Sequence, residues 1–302
     1  MIVTSQDIDP AAVLDLVVRH QQSPRTACAY LGTERSDIQD DLESLDQHWL
    51  ETVRVSVVEG RVVGAAAVEW DEEMDRSWIY GPWVEETHWR EEAPGLLGAV
   101  TEQAPVAGHE LFASVDHSEM AWLAEESGWR PGAVTYEYAR TTAAADALEA
   151  TGAPRAADAP GETGAPDATD SPLGPDLRWA APTDLPAIRA LHDAEFPDTY
   201  ARAEELVAED GSYRTVVLAA DGDVVGYATA RTQGDDAVYL DFLAVRQDAR
   251  RTGAGRRLLD GVQRGFGRPR MTLSVDENRP GSRAFFAGAG FAVAAATRPY
   301  RP

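Results

Sequence analysis

The chain repeats itself at a nearly fixed offset. Val57-Val58-Glu59-Gly60-Arg61-Val62-Val63-Gly64 is echoed by Leu218-Ala219-Ala220-Asp221-Gly222-Asp223-Val224-Val225-Gly226, with the two turn glycines, Gly60 and Gly222, 162 positions apart. Ser114-Val115-Asp116 returns as Ser274-Val275-Asp276 at an offset of 160, and Gly128-Trp129 as Gly290-Phe291 at 162. Three echoes in one order point to a duplicated domain, so one half constrains the fold of the other. The 302 residues leave room for two domains of ordinary size.

Each half has the same coarse order. An amphipathic helical stretch (11–20; 185–194) precedes a hairpin (52–70; 213–231), whose acidic-Gly pair is a two-residue turn signal. A third strand (77–84; 237–245), a helix (91–104; 253–264), a strand (110–115; 270–275), a helix (118–127; 280–288) and a last strand (132–140; 291–298) follow. Strands interleaved with helices predict an α/β (α+β) fold, a mixed sheet flanked by helices, in both halves. Residues 141–177 are rich in Ala, Gly, Pro, Thr and Asp and hold no aromatic, so they read as an acidic linker between domains at 1–140 and 178–302.

Charge is distributed unevenly. The net charge is −24, and every one of the 27 basic residues is Arg. Residues 1–140 carry −18, the linker −6, and residues 178–302 zero. That balance argues against a nucleic-acid-wrapping protein or a polybasic membrane anchor. No apolar run approaches the ~18 residues of a membrane span, and the N-terminus lacks a basic-then-apolar leader pattern. The single Cys28 can form no intrachain disulfide, and a cytoplasmic location is expected. The six His show no metal-ligand spacing, so no metal is expected.

One stretch carries chemistry. The apolar run Val238–Val245 leads into Arg246-Gln-Asp-Ala-Arg250-Arg251-Thr252-Gly253-Ala254-Gly255-Arg256-Arg257 and then a helix. Gly253 and Gly255 allow close backbone approach, the free N–H groups of the helix start point at an anion, and Arg side chains add charge. Between Arg246 and Arg283 there are 10 Arg against 4 acids. The loop suits a pyrophosphate, yet it is neither a P-loop nor a Rossmann fingerprint.

Arg250-Arg251-Thr252-Gly253-Ala254-Gly255 resembles the R/Q-x-x-G-x-G/A motif of the GNAT superfamily of N-acetyltransferases, and Asn278-Arg-Pro-Gly-Ser282-Arg-Ala-Phe285-Phe286-Ala-Gly-Ala-Gly290-Phe291 resembles that family's N-x-x-x-A/S-x-x-F-Y-x-x-x-G-F stretch. The resemblance covers roughly 178–302. The N-terminal half has Glu85-Glu-Thr-His-Trp-Arg-Glu-Glu-Ala-Pro-Gly95 in place of the loop, and so resembles a degenerate member of the same fold. For the C-terminal half the resemblance implies an acetyl-CoA site. Backbone groups of Leu243, Ala244 and Val245 would hold the pantetheine. Arg250 and the amides from Arg251 through Thr252, Gly253, Ala254 and Gly255 to Arg256 would hold the pyrophosphate. Asn278, Ser282, Phe285 and Phe286 would complete the site.

The implied reaction is direct attack of a primary amine, from a small molecule or a peptide, on the thioester. It needs a base for the ammonium and stabilisation of the oxyanion. Asp241 is the expected base, placed by strand alternation on one face with Tyr239 and Leu243. The family's usual acid is the Tyr of F-Y, and here Phe286 stands there; Tyr239, Tyr300 or water are the substitutes, since a thiol of pKa about 8.5 leaves tolerably unaided. The alternatives are a non-catalytic acyl-CoA-sensing or interaction module and a tandem enzyme of the mycothiol-synthase kind. A homodimer is compatible with the sequence. Trp70, Trp78, Trp83 and Trp89 beside Glu69–Asp75 offer either an acidic aromatic pocket for a cationic acceptor or ordinary core aromatics. Glu204-Glu205 and Glu209-Asp210 read as exposed helix charge.

Overall fold

The computed structural model describes residues 1–4, 8–23, 25–141, 173–197, 199–208, 211–234 and 236–302. Most of the expected linker, 142–172, and the pair Glu209-Asp210 lie outside the described residues. The chain divides into two units. Unit 1 is Met1–Glu137 with Asp276–Pro280 and Ala294–Pro302; unit 2 is Tyr138–Val275 with Gly281–Val293. These units are not the contiguous stretches 1–140 and 178–302. Nor does the second unit's packing begin at 178, because Leu173 and Leu177 are both buried.

In unit 1, Asp9 caps the first helix by accepting the Ala11 N–H (3.0 Å), with Pro10 in the first turn where its missing N–H costs nothing. The sheet order is β1 (Ile2–Thr4), β2 (Arg54–Val58), β3 (Arg61–Asp71), β4 (Arg76–Val84), β5 (Gly108–Ser114). The short strands β6 (Arg130–Pro131) and β7 (Thr135–Thr141) come later in the chain, and beyond β5 the C-terminal part of β13 (Ala292–Arg301) pairs antiparallel, Thr297 opposite Ser114 through Tyr300 opposite Leu111. Residues 63–68 of β3 are buried on both faces. Ala65 and Ala67 pack with α1 (Pro10–Gln21), α2 (Arg35–Glu43) and α3 (Trp49–Thr52), while Ala66 and Val68 pack with α4 (Trp89–Gln103) and α5 (Ser118–Glu126). Alternation thus serves two cores. The sequence reading did not anticipate α2, whose Ile38 and Leu42 are one turn apart and fully buried.

Unit 2 repeats this plan: β8 (Leu177–Trp179), β9 (Arg214–Ala220), β10 (Asp223–Gln233), β11 (Ala237–Val245) and β12 (Arg270–Asp276). A bidentate Arg178–Asp184 pair (2.6 and 2.7 Å) joins β8 to the start of α6 (Leu185–Glu195). The β2–β3 and β9–β10 turns are equivalent two-residue turns. Glu59-Gly60 have φ 50° and 76°, and Asp221-Gly222 have 52° and 88°, the positive-φ pair that a tight hairpin requires. The helices α7 (Ala254–Phe266) and α8 (Pro280–Gly288) complete the unit.

The units differ where the parallel strands part. The β4–β5 ladder ends at Ile79–Leu111, and the β11–β12 ladder at Tyr239–Thr272. In unit 1 the parted edge of β5 is taken up by the chain itself. Ala29 N–H donates to Phe112 C=O (2.9 Å), and Cys28 bridges Ala113. Gln21 clamps this segment: its amide donates to the carbonyls of Cys28, Leu31 and Gly32, while its Oε1 accepts from Cys28 N–H (2.6 Å) and Trp83 Nε1 (3.1 Å). Burial pushes the Cys28 thiol up to about 11, so it is a packed small residue and not a nucleophile. Gln21→Ala strands several buried polar groups and is expected to cost about 2–4 kcal/mol. Urea unfolding of unit 1, followed by tryptophan fluorescence, measures the loss.

Candidate active site

In unit 2 the parted edge stays open. Beyond Tyr239, β11 has no ladder partner on the β12 side among the described residues, and Leu243, Ala244 and Val245 line a cavity of about 590 Å³. Arg250, Arg251, Gly253, Ala254, Gly255, Arg256, Ser282, Phe285 and Phe286 border the same cavity. Thr252 and Asn278 do not: the Thr252 hydroxyl donates to Ala249 C=O (2.7 Å), and Asn278 N–H donates to Asp276 Oδ1 (2.7 Å), so both close local turns.

The loop turns into the helix through two left-handed residues. Arg251 and Gly253 have φ 64° and 91°, and Gly253 begins α7 with no side-chain cap. The first helical bond runs from Arg257 N–H to Gly253 C=O (3.0 Å), leaving the N–H groups of Ala254, Gly255 and Arg256 unused by the helix. A Cβ on Gly255 would lie 2.9 Å from Phe285 Cζ, so the ring packs directly on the helix backbone. Most of the loop's positive charge is already paired. Arg246 pairs with Asp248, Arg257 with Asp176 and Arg250 with Glu195, while Arg256 donates to Gly288 C=O. Arg251 makes no such pair among the described residues, and it borders the cavity. A residue that sequence reasoning missed ties the cavity walls together: Arg140 donates to Asp260 and Gln263 on α7 and to Ala289 C=O after α8, each at 3.3 Å.

Asp241 sits in a β-bulge. Across β10 and β11, Thr229 opposes Phe242 and Ala230 opposes Leu240, so Asp241 is the extra residue. The bulge resets the alternation. Tyr239 shares a face with Phe242 and Ala244, and Leu243 lies on the opposite one, which corrects the expectation that Tyr239, Asp241 and Leu243 share a face. The Asp241 side chain is fully buried. Its Oδ1 accepts the Tyr200 hydroxyl (2.8 Å) and lies 3.3 Å from Arg231 Nε; its Oδ2 is buried without a partner. Desolvation raises its carboxyl above the usual 3.8, against the Tyr200 hydrogen bond and the Arg231 charge, which lower it. Tyr200, raised by desolvation and by Asp241, stays a protonated donor. Its loop is pinned by buried His192, whose Nε2 contacts Ala201 C=O (2.9 Å) and whose Nδ1 contacts the Tyr227 hydroxyl (2.6 Å).

Other expectations change. Tyr300 is buried in the core of unit 1 and cannot stand in for the missing acid. Phe286 is buried against Tyr138, Phe285 and Phe291. The four tryptophans do not converge on a cation pocket. Trp70 and Trp89 pack in one core of unit 1 and Trp78 and Trp83 in the other, while Glu69 accepts from Asp46 N–H and the Tyr80 hydroxyl. Glu204 pairs with Arg189, and Glu205 accepts the Arg202 N–H. Among the described residues no group of three or more His, Cys, Asp or Glu could hold a metal, and no helix is long and apolar enough to cross a membrane.

Both units share a mixed sheet whose parallel strands part, and in unit 2 the parting stays open beside a helix N-terminus. Residues 179–291 match the Acetyltransferase (GNAT) family and form a GNAT-family domain. In fold the whole chain is similar to a GCN5-related N-acetyltransferase from Sphaerobacter thermophilus (TM-score 0.63, 18% identity, covering 100% of this chain and 95% of that one). It is also similar to a tandem GNAT protein from the clavulanic acid biosynthesis pathway (0.54, 14%, covering 100% and 97%) and to a GNAT-family acetyltransferase from Colwellia psychrerythraea (0.52, 13%, covering 100% and 99%). No curated protein matches the chain in sequence.

The raised carboxyl has a kinetic consequence if Asp241 must be ionised to act. The acid limb of kcat/KM is expected above 3.8. Tyr200→Phe removes an interaction that favours the carboxylate, so the limb should move further up; a pH–rate profile of the two proteins checks the sign.

Proposed function

We propose that unit 2 is an N-acetyltransferase that moves acetyl from acetyl-CoA to a primary amine by direct attack. The observation that carries this reading is the cavity joining the unpaired edge of β11 to the open start of α7. The amides of residues 254–256 and Arg251 would hold the pyrophosphate, and the backbone of Leu243 to Val245 the pantetheine. Asp241 Oδ2 takes the proton of the acceptor ammonium. The neutral nitrogen then forms the new C–N bond, and the C–S bond of the tetrahedral intermediate breaks. The thiolate leaves without a tyrosine acid at Phe286, and the proton that the attacking nitrogen still has to lose passes through water to the sulfur, at a cost its low pKa keeps small.

Unit 1 is read as a degenerate domain that binds no acyl-CoA. Its slot is closed by Cys28–Ala29, and Tyr80 of β4 stands where Asp241 stands in β11. Its α4 starts with Glu91 and Glu92 in the first turn, and Trp89 is bonded to Glu119 C=O (3.2 Å). Calorimetry is therefore expected to give one acetyl-CoA per chain. The deciding assay is release of free CoA thiol over a panel of amines. Amine-dependent release supports the transferase; acetyl-CoA binding with no turnover on any amine supports the acyl-CoA-sensing module instead.

A further inference from the structure

We propose that the acceptor is a zwitterion, an amine carrying a carboxylate within a few bonds of its nitrogen, and that Arg231 is the residue that selects it. The inference rests on the acetyl-transfer reading and names the substrate class of that same site.

Arg231 lies on β10 directly opposite Tyr239. Its guanidinium carbon stands 5.4 Å from the Tyr239 ring centroid and 6.0 Å from that of Tyr213, so two phenol rings fix its position. Its Nε faces Asp241 Oδ1 at 3.3 Å. Neither Nη atom has a protein partner among the described residues, and the side chain is 46% exposed. A guanidinium ion-paired on its Nε side and flanked by rings leaves its Nη N–H groups as a planar donor set, the arrangement that suits a carboxylate.

The second observation is the unpartnered Oδ2 of Asp241. A buried carboxylate oxygen without a donor is uncommon and marks a place a ligand donor would fill. The site thus holds one acceptor without a donor and one donor set without a protein acceptor among the described residues, joined by the contact between Asp241 and Arg231. A dication would meet Arg231 as a like charge, and a plain alkylamine would leave its fork unused. Only a molecule with both charges satisfies both groups.

Thiol release at saturating acetyl-CoA tests this on matched pairs: the amino acids and short peptides, each beside its C-terminal amide, which keeps the amine and removes the carboxylate. The full chain is expected to prefer the free acid of its best pair by about ten- to a hundredfold in kcat/KM, the range of hydrogen bonds to a charged partner. Arg231→Gln should bring the acid-to-amide ratio close to one, chiefly by raising KM for the acid, and Arg231→Lys should restore part of it. A role limited to supporting Asp241 would instead lower both members of a pair alike and keep their ratio, and that result overturns the proposal. Equal use of acids and amides by the unmodified chain, or turnover confined to amines without a carboxylate, overturns it too while leaving the transferase reading in place. No turnover on any pair or on any other amine of the panel, with acetyl-CoA bound, overturns both.

Discussion

Asp241→Asn is expected to lower kcat for amine-dependent CoA release by about 10²–10⁴-fold, the usual contribution of a positioned base. Asparagine is close in volume and still accepts the Tyr200 hydrogen bond, so the bulge and its neighbours have no reason to move. What is lost is the ability to take a proton at Oδ2. Because the substituted side chain lies outside the cavity lining, acetyl-CoA affinity should stay within about threefold, consistent with the modest effect of changes at non-contacting sites. The split between an unchanged binding isotherm and a collapsed rate distinguishes a base from a residue that merely shapes the site. A proportionate loss in both would place Asp241 among the structural groups. Adding more amine at higher pH should recover part of the rate, since free neutral amine then no longer depends on the enzyme for deprotonation.

Gly253→Asp is expected to weaken acetyl-CoA binding by about 10²–10³-fold. One added negative charge about 4 Å from a phosphate costs about 4 kcal/mol at an effective dielectric of 20. The same substitution has little net reason to unfold the domain. An aspartate at a helix start gains a few tenths of a kcal/mol over glycine as a cap, and the φ of 91° costs about 1–2 kcal/mol for a residue with a Cβ. Nothing lies within 4 Å of a Cβ at this position, so there is no clash to confuse the result. Gly253→Ala separates the two causes: it carries the backbone strain without the charge, and its affinity loss should stay under about tenfold. Titration of acetyl-CoA against the three proteins, with a thermal melt of each, reads both quantities. Equal affinity in all three would remove the phosphate from this loop.

The local elements were the most legible part of this chain. β11 runs over 237–245 as its apolar stretch and flanking residues indicate, and the acidic-Gly pairs become positive-φ hairpin turns because few other residue pairs tolerate that geometry. The glycine loop was legible for the same reason, as a spacing that only a close backbone approach explains. The bulge at Asp241 was not, since an inserted residue leaves no mark in the alternation until the partner strand is known. Tyr200 and Arg231 were equally hidden. Arg231-Thr232-Gln233 reads as the solvated end of a strand, and Tyr200 lies 41 positions before the carboxylate it serves. Their meaning depends on pairings across the sheet. The partner of the last strand was hidden in the same way: the pattern of residues 292–301 says strand, and nothing in it says which unit it completes.

That last pairing sets a timetable. The residues opposite Ser114 to Leu111 are Thr297 to Tyr300, which lie far downstream in the chain. At roughly 5–20 residues per second, the ribosome makes β5 many seconds before its neighbour exists. During that interval β5 waits as an open edge, the kind of surface that recruits the wrong strand. Unit 1 therefore cannot mature in the order of its own sequence, and a chain stopped after residue 291 would carry a complete N-terminal sequence with an unfinished sheet. Any effort to separate the two repeats has to move residues 294–302 along with the first of them.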